Sequence, residues 1–252
     1  MKNVTFIARR KIHAGDLVYK ILVTVGIALF SLSFLFVLVW MVMNSVRPQK
    51  AYFKKPYEFW NLKNATFENY LTIFKTKYGK SKTTMPGMMK NSLVLIVVCT
   101  GLQSVVPVIT GYVLARYKTK LGTVALNLVI VSMVVPSIGA TASTYAFMTA
   151  TKLKNTWAGI LIMNAGGLGF GTLLYKNYFA SISWEYAESA FLDGAGNLKV
   201  FFRIMYPQAL PLIVSMGILN VIGLWNDYMT PYFYLYDKPT VALGVYNIQQ
   251  IA

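Results

Sequence analysis

Five stretches of this chain, 22–43, 92–115, 121–151, 155–175 and 204–226, contain no charged side chain. Each reaches the roughly 20 residues that a helix rising about 1.5 Å per residue needs to cross about 30 Å of hydrocarbon. Charged residues make up 13 % of the chain and hydrophobic ones 56 %, against roughly 25 % charge in soluble domains. The first run is too long for a signal-peptide core, lacks a small-residue cleavage site and is followed by further runs. The chain is therefore read as an all-α, polytopic helical membrane protein with five visible spans.

A formal charge of +16 would suggest nucleic acid in a soluble protein. Here most basic residues lie in loops beside apolar runs, where attraction to anionic membrane lipid is the simpler reading, so no nucleic-acid partner is expected. The basic start, 1–21, carries Lys2, Arg9, Arg10, Lys11 and Lys20, with His13, the single histidine, as a solvated loop residue. Cys99, the single cysteine, falls inside an apolar run, which excludes an intrachain disulfide and a thiol metal cluster. A polar stretch at about 45–91 separates the first two runs and contains Trp60, Asn64 and Asn69, read as a solvated loop. The two sides of the membrane are close to balanced in Lys and Arg. The basic start beside the first run favours an inside N-terminus.

The segment at about 180–206 is the most informative polar stretch. Ser183 is a good N-cap, and Glu185 sits where the positive end of a helix dipole favours a carboxylate. Trp184, Ala187, Phe191, Ala195, Leu198 and Phe202 recur at steps of three and four, giving one apolar stripe, with Glu185, Ser189, Asp193 and Asn197 on another face. Gly194 and Gly196 interrupt the pattern, so two short helices with a bend are expected. A helix lying on anionic lipid favours basic residues. This one carries Glu185, Glu188 and Asp193 against Lys199 and Arg203, and so fits insertion into a groove on a partner better.

The spacing Glu188-Ser189-Ala190, three residues, Gly194, nine residues, then Ile204-Met205-Tyr206-Pro207 resembles the "EAA" docking loop of ABC permeases. Four further matches stand in order: Asn91-Ser92-Leu93, Gly111-Tyr112-Val113-Leu114-Ala115-Arg116, Val135-Pro136 and Trp225-Asn226-Asp227-Tyr228. Asp193-Gly194-Ala195 matches as well. The chain is thus similar to carbohydrate ABC transporter permeases of the binding-protein-dependent kind, over most of its length. Ser189, Tyr206 and Ser183 depart from the usual Ala, Leu and Pro. Ser189 should preserve docking, while the bulkier Tyr206 alters local packing.

The resemblance implies a type I importer permease domain over 22–252, with an external loop at 45–91 and a cytoplasmic docking loop at 180–206. It implies a cytoplasmic N-terminus in a bacterial plasma membrane and a sixth span expected beyond the end of the chain. The ATPase-docking residues would be Glu188, Ser189, Ala190, Asp193, Gly194, Ala195, Ile204 and Pro207. The partners would be a second homologous permease subunit, two ATPase subunits and an extracellular solute-binding protein. No cofactor is expected on this chain, ATP and Mg²⁺ being held by the ATPase.

Ionisable groups within spans are costly and default to function, and this chain has few. Asp227, just past the last run and in the outer part of the fifth span, either lines a solute path or caps and pairs near the interface. Asn220 and Asn226 offer hydrogen bonds to a hydroxyl-rich solute. Gly167-x-x-x-Gly171 fits close helix packing rather than a phosphate loop, and Pro107 and Pro136 are candidate kinks. The sparsity of intramembrane carboxylates argues against a proton-coupled carrier. The lack of a histidine in any run argues against a membrane hydrolase. A channel or passive facilitator docking a non-ATPase partner is the alternative, though it gives no reason for the acidic loop.

Overall fold

The first charge-free run becomes the middle of helix α1 (Ala14–Ser45), whose apolar side chains are exposed around its whole circumference. A helix apolar on every side is stable against lipid. The computed structural model describes residues 14–55, 57, 65–78, 81–134, 139–165 and 169–251. The calls on Lys2, Arg9, Arg10, Lys11, His13, Trp60, Asn64, Val135, Pro136 and Gly167 lie outside these residues. The chain divides into two units, 1–73 and 74–252.

In the first unit, Asn69 closes the end of α1 by donating through Nδ2 to the carbonyls of Ser45 (3.0 Å) and Arg47 (2.7 Å). The last carbonyls of a helix have no partner within it, so this asparagine of the polar stretch is a cap. A short helix α2 (Gln49–Lys54) precedes α3 (Glu68–Lys75), on which Asn69 stands.

The second unit opens with a two-residue ladder, β1 (Lys77–Tyr78) against β2 (Thr83–Thr84), antiparallel, with Lys77 opposite Thr84. Then follow α4 (Met85–Arg116), α5 (Lys120–Val134), α6 (Ala140–Ala150), α7 (Trp157–Met163), α8 (Phe170–Ser181), α9 (Glu185–Leu192) and α10 (Asn197–Val200). A π-helical turn (Phe201–Met205) leads into α11 (Tyr206–Asn226), and α12 (Met229–Tyr234) and α13 (Val241–Ile251) complete the described chain. Among the described residues, three helical stretches are long and apolar enough to cross a membrane: Gly15–Ser45, Met85–Arg116 and Asn197–Asn226. This is an all-α, multi-pass membrane fold.

Two of the five charge-free runs are not single helices. Run 121–151 is divided into α5 and α6, and run 155–175 into α7 and the start of α8. Gly139, at φ +77°, holds the left-handed backbone from which α6 starts. Such a conformation ends regular helix at little cost only in glycine.

Two buried clusters sit towards opposite ends of α4. One contains Leu95, Cys99, Met148, Ile160, Tyr234 and Leu235. The other gathers Val108, Tyr112, Tyr175, Phe179, Ala187, Val200, Phe201, Met205, Ala209 and Ile213. Cys99 is a fully buried packing residue of the first. The helices α4 and α8 cross most closely at Gly111, where an added Cβ would stand 2.7 Å from the Cβ of Tyr175 and 2.9 Å from the backbone nitrogen of Lys176. At Gly171, expected from the sequence to mark close packing, an added Cβ would meet the Pro107 Cβ at an ordinary 3.5 Å. A methyl group at Gly111 must push α8 away, at a cost of about 1–3 kcal/mol for overpacking. Gly111→Ala should therefore lower the thermal midpoint of the detergent-solubilised protein, whereas Gly171→Ala should change it little.

Candidate functional site: the docking segment and the outer clefts

The polar segment after α8 folds as the expected pair of short helices with a bend. Ser183 does accept a bond through Oγ, from the Glu185 N–H (3.3 Å), but Trp184 holds the N-cap position of α9. At the other end, the N–H of Gly194 donates to the Phe191 carbonyl (3.0 Å) and that of Ala195 to the Ala190 carbonyl (2.9 Å). With Gly194 at φ +79°, this pair of bonds is a Schellman cap. Nothing lies within 4 Å of a Cβ built there, so the requirement for glycine is conformational and not one of space.

The cap also resets the helical phase. Trp184, Ala187, Phe191 and Ala195 pack inward as the stripe predicts, but Leu198 and Phe202 point outward, 75 % and 58 % exposed. Val200, Phe201 and Met205 are buried in their place. The outward face consequently combines Glu185, Glu188, Ser189 and Asp193 with exposed Tyr186, Leu192 and Leu198. Ser189 bonds the Tyr186 carbonyl through Oγ (3.2 Å), leaving the backbone of α9 undisturbed. Ala190, Ala195 and Ile204 are half-buried against the core.

Pro207 stands exposed in the first turn of α11, directly after the π-helical turn in which the Tyr206 N–H reaches the Phe201 carbonyl. A proline lacks the N–H that would meet the carbonyl four residues back, and a π turn is a common local accommodation of such interruptions. The Ile-x-x-Pro element thus joins the segment to a membrane span through a widened turn.

Arg116, the last residue of α4, ties the segment to the core. Its Nη2 donates to the Ile182 carbonyl (2.7 Å) and its guanidinium lies 4.8 Å from the centre of the Trp184 ring. Tyr112, one turn earlier, packs on Phe179 and Phe201 with ring centres at 5.3 and 4.8 Å. The Tyr117 hydroxyl donates to Asn197 Oδ1 (3.3 Å). The basic turn 116–120 and the segment therefore lie at the same end of the helices. Arg116 was visible in the sequence as an arginine ending an uncharged run, but its partners were not.

The opposite end is held by Asn91 and Ser92. Asn91 Nδ2 donates to the Pro239 carbonyl (3.0 Å), and Ser92 Oγ accepts from the Val241 N–H (2.8 Å). Asp227 ends α11, and its Oδ1 accepts from the Thr230 N–H (3.0 Å) in the first turn of α12. Asn220 is half-buried on α11, while Asn226 is exposed and bonds the Ile222 carbonyl (2.8 Å). Two clefts flank α13. The smaller, about 490 Å³, is lined by Trp225, Asn226, Tyr228, Tyr246 and Gln249 among others. The larger, about 990 Å³, includes Tyr145, Lys154, Tyr232, Tyr236, Asn247 and Gln250.

Residues 107–251 match the family model for the inner membrane component of binding-protein-dependent transport systems, and the chain belongs to that family. It is 32 % identical over 161 residues to the melibiose/raffinose/stachyose import permease of Bacillus subtilis, covering 62 % of this chain and 58 % of that protein. It is 27 % identical over 183 residues to the maltodextrin transport system permease of Streptococcus pneumoniae, covering 71 % of this chain and 63 % of that one. The aligned part thus spans about three fifths of these relatives. Its fold is shared, at a TM-score of 0.77 and 22 % identity, with a bacterial ABC transporter involved in the import of the acidic polysaccharide alginate. That match covers 93 % of this chain and 80 % of the other.

The Schellman cap carries a direct expectation. Gly194→Ala forces a β-carbon into left-handed backbone at a cost of about 1–2 kcal/mol. Amide hydrogen exchange should accelerate roughly tenfold around 190–197 while the helices of the membrane core keep their protection.

Proposed function

We propose that this chain is a transmembrane permease subunit of an ATP-driven, binding-protein-dependent importer of a sugar or oligosaccharide. The observation that carries the reading is the two-sided construction of segment 180–206. One side is fastened to the core through Ala187, Phe191 and the Arg116 bonds. The other presents Glu188, Leu192, Asp193 and Leu198 outward. Exposed apolar side chains set among carboxylates suit a groove on a partner protein better than an anionic lipid surface. The printed names of the relatives, permeases for melibiose, raffinose, stachyose and maltodextrin, support the sugar class.

In this reading Glu188, Ser189, Asp193 and Gly194 make or shape the contact with an ATPase subunit. Ala190, Ala195, Ile204 and Pro207 hold that surface on the membrane helices. The segment faces the cytoplasm of a bacterial cell, as does the N-terminus. A second homologous permease, two ATPase subunits that hold ATP and Mg²⁺, and an extracellular solute-binding protein complete the importer. Movement of the docked segment reaches α4 through Arg116 and α11 through the π turn. For this to switch access, the docking contacts must differ in free energy between the two states. On the outer side, Asn226 faces the smaller cleft and is placed to meet solute, with Asn220 further along α11, whereas the Asp227 carboxylate is engaged as a cap.

Glu188→Lys reverses a charge at the centre of the outward face, and Gly194→Trp adds bulk beside it. Both variants should insert into the membrane at normal levels. Purification of the tagged chain in mild detergent should bring down a nucleotide-binding ATPase with the wild type and much less with either variant. Uptake should fall at least about tenfold, the scale of one lost hot-spot contact. Undiminished uptake by both variants, or purification of the wild type without an ATPase, would overturn the proposal.

A further inference from the structure

The larger cleft lies at the end of the helices remote from segment 180–206, among the start of α6, the end of α12 and one face of α13. Its lining is unusual for a lipid-facing surface. Tyr145, Tyr232 and Tyr236 are 38 %, 48 % and 44 % exposed, and Asn247 and Gln250 project from α13 beside Leu243. Among the described residues that line it, Lys154 is the one charged group. Its ammonium lies 4.0 Å from the centre of the Tyr145 ring and 5.8 Å from that of Tyr236, and it donates to the Tyr145 hydroxyl. The nearby Asp237 carboxylate accepts from Asn155 Nδ2 instead.

The walls are held largely by backbone groups, which leaves the exposed side chains of Tyr232 and Tyr236 out of the bracing. Tyr234 is buried, and its hydroxyl donates to the Thr141 carbonyl (3.1 Å). Its own carbonyl accepts from the Asn155 N–H (2.8 Å), and Asn155 Oδ1 accepts from the Asp237 N–H (3.1 Å). The α12 wall is thereby pinned to the start of α6 and to the turn before α7. A site on elements fixed in this way is formed before any ligand arrives. At about 990 Å³ it stands at the top of the roughly 300–1,000 Å³ range of small-molecule clefts.

We infer that this cleft is a carbohydrate-binding subsite on the chain itself, taking one or two pyranose rings of the transported solute. The inference deepens the importer reading and rests on it. The chemistry is that of a sugar ring, which offers apolar C–H faces and a rim of hydroxyls. The tyrosine rings supply flat apolar surface for the first. Lys154, Asn247 and Gln250 supply donors and acceptors for the second. A site built to hydrogen-bond hydroxyls also discriminates against molecules that lack them, because its polar groups are then left unpaired. The subsite lies on a different face of α13 from Asn226 and Tyr246. Leu243, Asn247 and Gln250 share one helical stripe, and Ala242, Val245, Tyr246 and Gln249 another.

The test uses the whole complex, purified on the tagged chain from native membranes and placed in nanodiscs. Saturation-transfer NMR is recorded with raffinose, maltotriose and diacetylchitobiose as probes. Transfer to the ring protons of at least one sugar is expected, with apparent affinity about tenfold weaker in Tyr236→Ala and in Lys154→Met, as for a lost side-chain anchor. Tyr236→Phe keeps the ring and should retain the signal, and gel filtration of each variant complex checks its assembly. Equal transfer in wild type and variants, or none from any probe, overturns the subsite. Loss of the signal on adding short-chain phosphatidylglycerol, with no sugar selectivity, overturns it in favour of a lipid site. The importer reading fails separately, if no ATPase purifies with the chain.

Discussion

The crossing of α4 and α8 at Gly111 is the contact on which the larger buried cluster of the second unit is built. With a hydrogen for a side chain, the two backbones approach until a Cβ would sit 2.7 Å from its neighbour. Small residues at such crossings let dispersion forces act between helices in lipid, where no hydrophobic drive distinguishes a neighbouring helix from acyl chains. That approach brings Tyr112 onto Phe179 and Phe201. It also brings Arg116 within reach of Ile182 and Trp184. Segment 180–206 inherits its position from this contact, because its inward residues pack into the cluster that the crossing creates.

Backbone satisfaction governs the places where the helices stop. Each helix end leaves several carbonyl and N–H groups without partners, and in a membrane protein these must be met by the chain itself or by the interface. Asn69 at the end of α1, Asn91 and Ser92 beside the start of α13, and Asp227 ahead of α12 all perform this task. At the docking segment the same need is met without a side chain, by the left-handed turn at Gly194. Several residues that look in sequence like polar contacts for a ligand thus have partners within the chain. Exposed carboxylates and apolar side chains stand together on the outward face of α9, and polar side chains line the two clefts beside α13.

Those two regions lie at opposite ends of α11, which rises about 1.5 Å per residue over its 21 residues, enough for most of a bilayer. A rigid helix joins the exposed face of α9 at one end to the clefts at the other. The π turn ahead of its N-terminal end is the place where the chain departs from regular helical geometry. Such turns recur at functional positions because a non-ideal register can be shifted at small cost.

The all-α membrane class, the main spans, the paired short helices around 180–206 and their acidic outer face were legible without coordinates. Each follows from local composition and period: charge exclusion over about 20 residues, steps of three and four, and a glycine where a helix must end. The phase after Gly194 was not legible, since a left-handed cap rotates everything beyond it and sends Leu198 and Phe202 outward. Nor was the division of two charge-free runs into four helices, because composition reports burial in lipid and not continuity of the backbone. The partners of Arg116, Asn91 and Ser92 lie 66, 148 and 149 residues away in the chain. Contacts at such separations leave no periodic trace in a sequence. The amino-acid order alone determined the all-α membrane class and the acidic, amphipathic character of segment 180–206, because transfer free energy is a local sum. Tertiary packing decided which face of that segment is exposed and which polar groups find partners within the chain, because those depend on what each helix lies against.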